Sequence, residues 1–275
     1  SLNNLGNLLK NTNELEQART YYEEALEISR ELSKQNPESY MPAVATSLNN
    51  LGILLKDTNE LQQARTYYEE ALEIRRELSE QNPEAYKPAV ATSLNNLGIL
   101  LKDTNELEHA RTYYEEALEI CRELSEQNPK AYMPDVAMSL NNLGNLLKNT
   151  NELEQARAYY EEALEIYREM SKQNPEAYKP NMGMVLTNLT LLYQQRGKKE
   201  DAEQAYQEAH DIYHELASRY PRAYGINYAR MLVIGLAFLG KPKEDLEEAK
   251  EILDKYPEHP EARKLLSIIE ELDER

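Results

Sequence analysis

The stretch Ser47-Leu-Asn-Asn-Leu-Gly52 decides the fold, because it recurs at a fixed step along the chain. The same six residues begin at Ser1, Ser93 and Ser139, and a weakened copy occupies residues 185–190 at the same 46-residue step. Units of this length that recur head to tail are typical of a solenoid, in which each unit buries its apolar face by stacking on its neighbours. Units 47–92 and 93–138 differ at seven positions, which indicates recent tandem duplication.

The composition disfavours nucleic acid and membranes as partners. Among 275 residues, 31 are Lys or Arg and 49 are Asp or Glu, so the net charge is −18 and no basic stripe is available for phosphates. Residues 231–240 form the longest apolar run, which is far shorter than the roughly 20 residues of a membrane helix. Cys121 is the only cysteine, so we expect a reducing, cytoplasmic location. Ser1 falls inside a helical pattern, and we therefore expect the chain to be a fragment.

The apolar spacing predicts two helices per unit. Val44, Leu48, Leu51 and Leu55 share one stripe of a first helix, here named helix A, and Pro42 is its expected start. A second helix, helix B, is predicted to end at about Gln81, before Asn82 and Pro83; its stripe comprises Leu61, Ala64, Tyr68, Ala71 and Leu78. The other face of helix B is acidic, and we expect it to be solvated.

The turn between the two helices is predicted from residues that tolerate a positive φ. Such residues recur at one position of every unit: Asn13, Asn59, Asn105, Asn151 and Gly197. Gly52 lies inside helix A, where glycine is unfavourable by roughly 0.5–1 kcal/mol. We therefore expect a steric reason for it, namely the closest approach of helix A to the small residues Ala64 and Ala71 of helix B.

The spacing Leu48-x2-Leu51-Gly52-x2-Leu55, followed by Ala64-x3-Tyr68-x2-Ala71 and a closing Pro83, resembles the tetratricopeptide repeat signature. Leu replaces the usual aromatic residues of helix A, and the unit is longer than the family's roughly 34 residues. The Asn-Asn pair and the Tyr-rich helix B are similar to the repeats of kinesin light chains and their prokaryotic relatives. The resemblance implies an all-α, right-handed superhelical solenoid of antiparallel helix pairs, whose inner wall, built mainly from helix A, binds peptides or proteins without catalysis.

The domain organisation follows from how far the 46-residue repeat continues along the chain. Residues 1–224 are expected to form five 46-residue units, the first of which lacks the start of its helix A. Residues 225–275 are expected to form a degenerate hairpin, 231–239 with 244–255, and a capping helix, 260–272.

If helix A lines the groove, its residues away from the leucine stripe are the candidate binding residues. They form a first amide ladder, a second amide ladder, a lysine row and a position where Ile and Asn alternate: Asn3, Asn49, Asn95 and Asn141; Asn4, Asn50, Asn96, Asn142 and Asn188; Lys56, Lys102 and Lys148; Ile53, Ile99 and Asn145. Amides both donate and accept, as an extended peptide requires. The lysines would favour an acidic peptide. One ladder could instead bridge neighbouring helices, because adjacent positions point about 100° apart.

Two sequence patterns resemble a metal site or a catalytic nucleophile, but neither meets the requirements of such a site. His210 and His214 stand at i and i+4, but they lack a nearby third ligand and the general-base Glu of a metalloprotease helix. The position of Cys121 holds Ser29, Arg75, Tyr167 and Tyr213 in the other units, and this variety favours a permissive surface site over a nucleophile. We expect no metal, no cofactor and no enzyme activity.

Three functional hypotheses remain open. The chain is a noncatalytic scaffold that binds a peptide or partner protein, or the sensor or regulatory arm of a larger effector, or a self-associating array. We expect a monomer or weak end-to-end self-association.

Overall fold

The computed structural model describes residues 1–273, and within them the chain forms thirteen α-helices and no strand. In chain order they are α1 (Leu2–Asn11), α2 (Leu15–Ser33), α3 (Pro37–Asp57), α4 (Leu61–Gln81), α5 (Pro83–Asp103), α6 (Leu107–Gln127), α7 (Pro129–Asn149), α8 (Leu153–Gln173), α9 (Pro175–Gln195), α10 (Lys199–Arg219), α11 (Pro221–Leu239), α12 (Glu244–Leu253) and α13 (Pro260–Asp273). Odd-numbered helices from α1 to α9 are helix A of each repeat, and even-numbered ones from α2 to α10 are helix B. The prediction of an all-α chain of helix pairs is confirmed.

Helices α1 to α6, and likewise α8 to α13, pack with their neighbours in sequence, as α3 does with α4 and α4 with α5. The contacts divide the chain into two compact units, Ser1–Leu146 and a second that begins at Leu147, so the division falls inside α7. The predicted division at residue 224 stays a prediction.

The turn inside each repeat has the predicted left-handed residue. The φ angle is 64° at Asn13, Asn59 and Asn151, 63° at Asn105 and 68° at Gly197. In the second repeat the Glu60 amide donates to Leu55 O at 2.7 Å and the Asn59 amide to Lys56 O at 3.1 Å, which satisfies the last carbonyls of helix A. Asn tolerates this left-handed conformation because its short polar side chain can hydrogen-bond locally. The chain therefore reverses direction within three residues.

From the second repeat onward, one residue separates helix B from the following helix, whereas three residues separate α2 from α3. Asn82 ends α4 and also caps α5, since its side chain accepts a hydrogen bond from the Ala85 amide at 3.3 Å. Pro83 then occupies the first turn, where its missing N–H costs nothing. The expected start of helix A at Pro42 is wrong: α3 begins at Pro37, and Pro42 lies inside it. The apolar stripe begins later than the helix because the first turn is solvated.

In the first three repeats the core contains a tyrosine that lies against a glycine. Tyr68 is 1% exposed, and a Cβ placed on Gly52 would lie 2.6 Å from its Cδ1. The same arrangement joins Gly6 to Tyr22 and Gly98 to Tyr114. The expected steric reason for glycine is present, but it is the tyrosine ring of the same repeat that fills the space.

The end of the chain keeps the helix-pair pattern for longer than expected. The predicted helix at residues 231–239 is the second half of α11, which begins ten residues earlier at Pro221. In α13, Ala262, Leu265 and Ile269 are buried.

Candidate functional site

Helix A exposes one stripe of side chains, here named the helix-A stripe. In the second and third repeats it consists of Thr46, Asn50, Ile53 and Lys56, and of Thr92, Asn96, Ile99 and Lys102. The threonines are exposed and the other six residues are half-buried. In α7 the matching residues are Met138, Asn142, Asn145 and Lys148, and in α9 Asn188 is also half-buried. The stripe is solvated because its members follow one another at spacings of three or four residues, opposite the leucines.

The first amide ladder lies between repeats and is largely buried. Asn49, Asn95 and Asn141 are 7%, 4% and 3% exposed. The Asn3 amide donates to Ser47 Oγ of the next repeat at 2.9 Å. Likewise, Asn95 Nδ2 donates to Ser139 Oγ at 3.1 Å and to Ala91 O at 3.2 Å. These amides bridge neighbouring helices, as the sequence allows for one of the two ladders.

The second amide ladder lies at the surface and is hydrogen-bonded to the first. Asn96 Nδ2 donates to Asn49 Oδ1 at 2.9 Å. The pairs Asn50 with Asn3 and Asn142 with Asn95 repeat this bond at 3.3 and 3.1 Å. No donor in residues 1–273 reaches the Oδ1 atoms of Asn50, Asn96 and Asn142. The second ladder therefore presents fixed carbonyl acceptors at half-buried positions.

The alternating Ile and Asn position decides whether a buried tyrosine has a hydrogen-bond partner. In the first repeat Tyr22 Oη donates to Asn7 Oδ1 at 2.6 Å. Ile53 and Ile99 replace this acceptor in the next two repeats, and no acceptor within the described part of the chain bonds to the hydroxyls of Tyr68 and Tyr114. Burial raises the pKa of both hydroxyls, and Asp57 and Asp103 raise it further, so both remain neutral donors.

Sequence reasoning assigned these tyrosines to the core and missed the hydroxyls. The tyrosine recurs in every repeat while its neighbour alternates between an amide and an isoleucine, and that combination is the sequence signal that could have revealed them.

The lysines near the end of helix A form ion pairs with aspartates at the end of helix A, in the same repeat or in the next one. Lys10 Nζ lies 3.0 Å from Asp57 Oδ2, and Lys56 Nζ lies 3.3 Å from Asp57 Oδ1. In the next repeat Lys102 Nζ lies 3.4 Å from Asp103 Oδ1. Because the aspartates offset much of this charge, the row is less positive than the lysine count indicates.

The variable position on helix B is buried, so its interpretation as a surface site is wrong. Ser29, Arg75, Cys121, Tyr167 and Tyr213 are 1–9% exposed. Arg75 Nη1 donates to Ser93 Oγ at 2.6 Å and to Ala89 O at 3.1 Å, and no carboxylate within residues 1–273 pairs with it. Burial accordingly lowers the pKa of Arg75 to about 10 and raises that of Cys121 to about 11, so Cys121 is a protonated thiol rather than a nucleophile.

The acidic face of helix B is solvated, as predicted, and carries ion pairs between repeats. Arg30 Nη2 lies 2.5 Å from Glu70 Oε1, and Arg76 Nη2 lies 2.6 Å from Glu116 Oε1. A second row joins Arg19 to Glu60 at 3.1 Å. These repeated, exposed pairs bridge adjacent helices B. Their carboxylates lie in similar solvated environments, whereas catalysis by a general acid and a general base needs two carboxyl groups in different environments.

The histidine pair belongs to an aromatic cluster beside a small cleft of about 220 Å³. The rings of His210 and His214 are parallel, with centroids 6.2 Å apart, and Tyr228 contacts both edge to face. Ser218 Oγ donates to the backbone carbonyl of His214 at 2.8 Å and not to its ring. In the described residues no three His, Cys, Asp or Glu side chains are grouped to hold a metal.

The cleft therefore contains polar groups that occur once in the chain, but its serine is not activated by the histidine.

Within the described range, no helix is both long and apolar enough to cross a bilayer.

These features define a protein built from stacked helix pairs with an exposed helix-A surface. Family profiles described as tetratricopeptide repeat match residues 1–77, 135–215 and 90–129. Because the first of these profiles covers more than half of the sequence, the chain belongs to the tetratricopeptide repeat family. Proteins of this family are in general noncatalytic interaction scaffolds. A search of curated proteins returns no match.

Solved structures share the fold. BtubC (BKLC) from P. vanneervenii is 22% identical with a TM-score of 0.65, over 93% of this chain and 92% of that one. A Rap protein in complex with Competence and Sporulation Factor is 17% identical with a TM-score of 0.67, over 99% and 75% of the two chains. A Podosopora anserina protein assigned as a kinesin light chain, with nearly identical TPR-like repeats, is 14% identical with a TM-score of 0.57, over 80% and 95%.

Proposed function

We propose that this protein is a noncatalytic, cytoplasmic scaffold whose helix-A stripe binds a peptide or an extended segment of a partner protein. The observation that carries the proposal is the row of acceptors formed by Asn50, Asn96 and Asn142, which are held in place by the buried ladder and receive no donor from the described chain. A row of fixed carbonyls suits the N–H groups of an extended backbone. The similar Rap protein, which forms a complex with Competence and Sporulation Factor, supports a binding role for this fold.

Ligand selectivity is proposed to lie at Ile53 and Ile99. Each isoleucine is half-buried and leaves a neighbouring tyrosine hydroxyl without an acceptor. An apolar ligand side chain would cover the isoleucine, and a ligand carbonyl would accept from Tyr68 or Tyr114. Neither hydroxyl belongs to the fully buried side-chain atoms that lack a partner, so a ligand carbonyl would replace water there, and such a hydrogen bond contributes about 0.5–1.5 kcal/mol.

The lysine row contributes less to this proposal than the amides do. Asp57 pairs with both Lys10 and Lys56, and these contacts leave little charge for an acidic peptide. We therefore propose a ligand that is recognised through its backbone and one or two apolar side chains.

The sharpest test changes both isoleucines to the residue that the chain already uses at that position. The double variant Ile53→Asn and Ile99→Asn should fold, because Asn7 in the first repeat accepts from Tyr22 in the same way. Immobilised wild type and variant are exposed to source lysate, and the retained proteins are quantified by mass spectrometry. We expect partners retained by the wild type to fall about tenfold in the variant, which corresponds to about 1.4 kcal/mol.

The matched control changes the helix-B face, with Glu73→Gln and Glu119→Gln at equivalent exposed positions. This control should retain the same partners as the wild type. Equal retention by the isoleucine variant, with unchanged helix content by circular dichroism, would remove the helix-A stripe as the binding surface.

The amide row can be tested separately with Asn50→Ala, Asn96→Ala and Asn142→Ala together. Each substitution also removes one hydrogen bond between repeats, so binding is compared at a temperature where the triple variant keeps the helix content of the wild type. Unchanged partners under that condition would place the binding surface elsewhere.

A further inference from the structure

The cleft beside the histidine pair lies in the second compact unit, where α10, α11 and α12 meet. Its volume is about 220 Å³, which is below the roughly 300–1,000 Å³ of clefts that hold drug-sized ligands. Aromatic and charged side chains line it together: His214, Tyr228, Glu248, Lys255 and Tyr256. A cleft of this size and lining suits a polar molecule as small as one amino acid.

One wall of the cleft lacks a side chain that the other repeats have. At steps of 46 residues before His214, helix B has an arginine in each repeat: Arg30, Arg76, Arg122 and Arg168. Arg168, for example, crosses to the next helix B and pairs with Glu208. The imidazole of His214 is shorter than an arginine side chain, and within the described chain it forms no ion pair with α12. The space that an arginine crosses elsewhere is therefore open here.

The floor of the cleft lacks a second side chain. Gly225 is buried, and the same position in the other repeats has a long side chain: Met41, Lys87, Met133 and Lys179. A Cβ on Gly225 would lie 3.2 Å from Tyr256 Oη and 3.3 Å from Ile252 Cγ2. The Tyr256 ring is fixed because its hydroxyl donates to Pro221 O at 2.7 Å. Two substitutions relative to the other repeats thus create the cleft.

The two charged groups of the cleft have no partners of opposite charge. In residues 1–273 no basic side chain pairs with Glu248, and no acid pairs with Lys255. Burial, followed by the charge of Glu248, raises the pKa of Tyr228 to about 12, so a neutral hydroxyl lies beside this carboxylate. Glu248 and Lys255 are seven residues apart, which is about 10 Å along a helix. A ligand that has a cation at one end and an anion at the other would satisfy both groups.

We propose that this cleft binds an arginine with a free carboxylate, either the amino acid or the last residue of a peptide. The guanidinium takes the place of the arginine side chain that the other repeats have, pairs with Glu248 and lies against the ring of Tyr256. The carboxylate of the ligand pairs with Lys255. The net charge of −18 also attracts a cationic group. This site is independent of the helix-A stripe.

Calorimetric titration of the whole chain with four probes tests the proposal. The probes are L-arginine, the dipeptide Gly-Arg, its C-terminal amide and the uncharged analogue L-citrulline. We expect saturable binding of one molecule of L-arginine or Gly-Arg, and the tighter of the two shows whether the source is the amino acid or a peptide end. The amide and L-citrulline should each bind at least tenfold more weakly.

Three results of this titration would contradict the proposal. Absence of binding by both L-arginine and Gly-Arg would overturn it, and so would equal binding of L-citrulline. An amide that binds as well as Gly-Arg would overturn the pairing of the ligand carboxylate with Lys255.

The variant His214→Arg returns to the cleft the side chain that the other repeats have there. It should weaken arginine binding at least tenfold and leave the Tm close to that of the wild type, because exposed ion pairs contribute little to stability. Glu248→Gln changes an exposed side chain and should also weaken binding at least tenfold. Arginine binding that is unchanged in these two variants would overturn the proposal.

The matched control is His109→Arg, the same substitution at an exposed position on α6. This control should bind arginine as the wild type does, and an equal loss in it would overturn the proposal by showing a general effect of charge. The variant Ile53→Asn with Ile99→Asn should likewise keep arginine binding. Failure at the cleft and failure at the helix-A stripe are therefore distinguishable.

Discussion

Replacing Gly98 with alanine has two effects of opposite sign on the free energy of unfolding. Helix propensity alone predicts that alanine stabilises the interior of a helix by about 0.8–1.0 kcal/mol relative to glycine. The new Cβ, however, would lie 2.5 Å from Tyr114 Cε1 and 2.6 Å from its Cδ1. Ordinary carbon contacts are about 3.5–4.0 Å, so the ring would have to move by about 1 Å.

The surrounding core resists that movement. Tyr114 is 1% exposed, and its neighbours on the same helix face, Ala110 and Ala117, are 0% exposed. Overpacking a well-packed core costs about 1–3 kcal/mol. We take the upper part of that range because the clash is with an aromatic ring, and after the propensity gain we expect a net loss of about 1–2 kcal/mol of unfolding free energy.

The assay combines urea unfolding with amide exchange in α5 and α6, because a long array need not unfold in one step. The double variant Gly98→Ala with Tyr114→Leu removes the ring, and there the alanine should become neutral or stabilising. Gly98→Leu should lower the Tm far more than Lys102→Leu, whose side chain lies at the surface. A Gly98→Ala protein more stable than the wild type would refute the steric argument.

Three further predictions concern buried polar groups. Asn95→Ala should cost about 2 kcal/mol more than Asn96→Ala in urea unfolding, because Asn95 is 4% exposed and bridges to Ser139, whereas Asn96 lies half-buried; equal costs would contradict the division between the ladders. Arg75→Met should raise the unfolding free energy by about 1 kcal/mol, since the guanidinium is buried without a carboxylate, and a loss of stability would contradict this. Burial raises the pKa of Tyr213 to about 12, and that of Tyr228 likewise to about 12, above the value of about 10 expected for an unfolded chain. The stabilisation of their neutral forms is therefore complete below about pH 10 and lost as the pH rises towards 12, so the Tm should fall across that window. The tyrosinate absorbance of these two residues, measured as the difference between the wild type and a Tyr213→Phe, Tyr228→Phe variant, should appear with unfolding; its appearance without unfolding would contradict the prediction.

Local features of the repeat were predictable because short-range rules determine them. The left-handed conformation of Asn59 follows from its place after an apolar stripe and from its match with Gly197. The end of helix B at Gln81 follows from Asn82 and Pro83. Both predictions use only the conformational preferences of single residues.

Features that depend on packing between repeats were not predictable in the same way. The position of Arg75 varies like a surface site, yet it is 8% exposed because the next repeat covers it. Similarly, Asn49 and Asn50 are adjacent in sequence, and only the placement of the neighbouring helix makes one a buried bridge and the other a surface amide. The start of helix A at Pro37 was missed because a polar first turn carries no apolar period.

The single linking residue after α4, α6, α8 and α10 has a consequence for how this chain can change length. From the second repeat to the fifth, each period is filled by two helices of 21 residues, a three-residue turn and Asn82 or its counterpart. Gaining or losing one residue within a helix would turn everything beyond it by about 100° and carry leucines into solvent. Such a gene can grow or shrink safely only by whole periods, which makes unequal recombination between near-identical copies its natural route to new lengths.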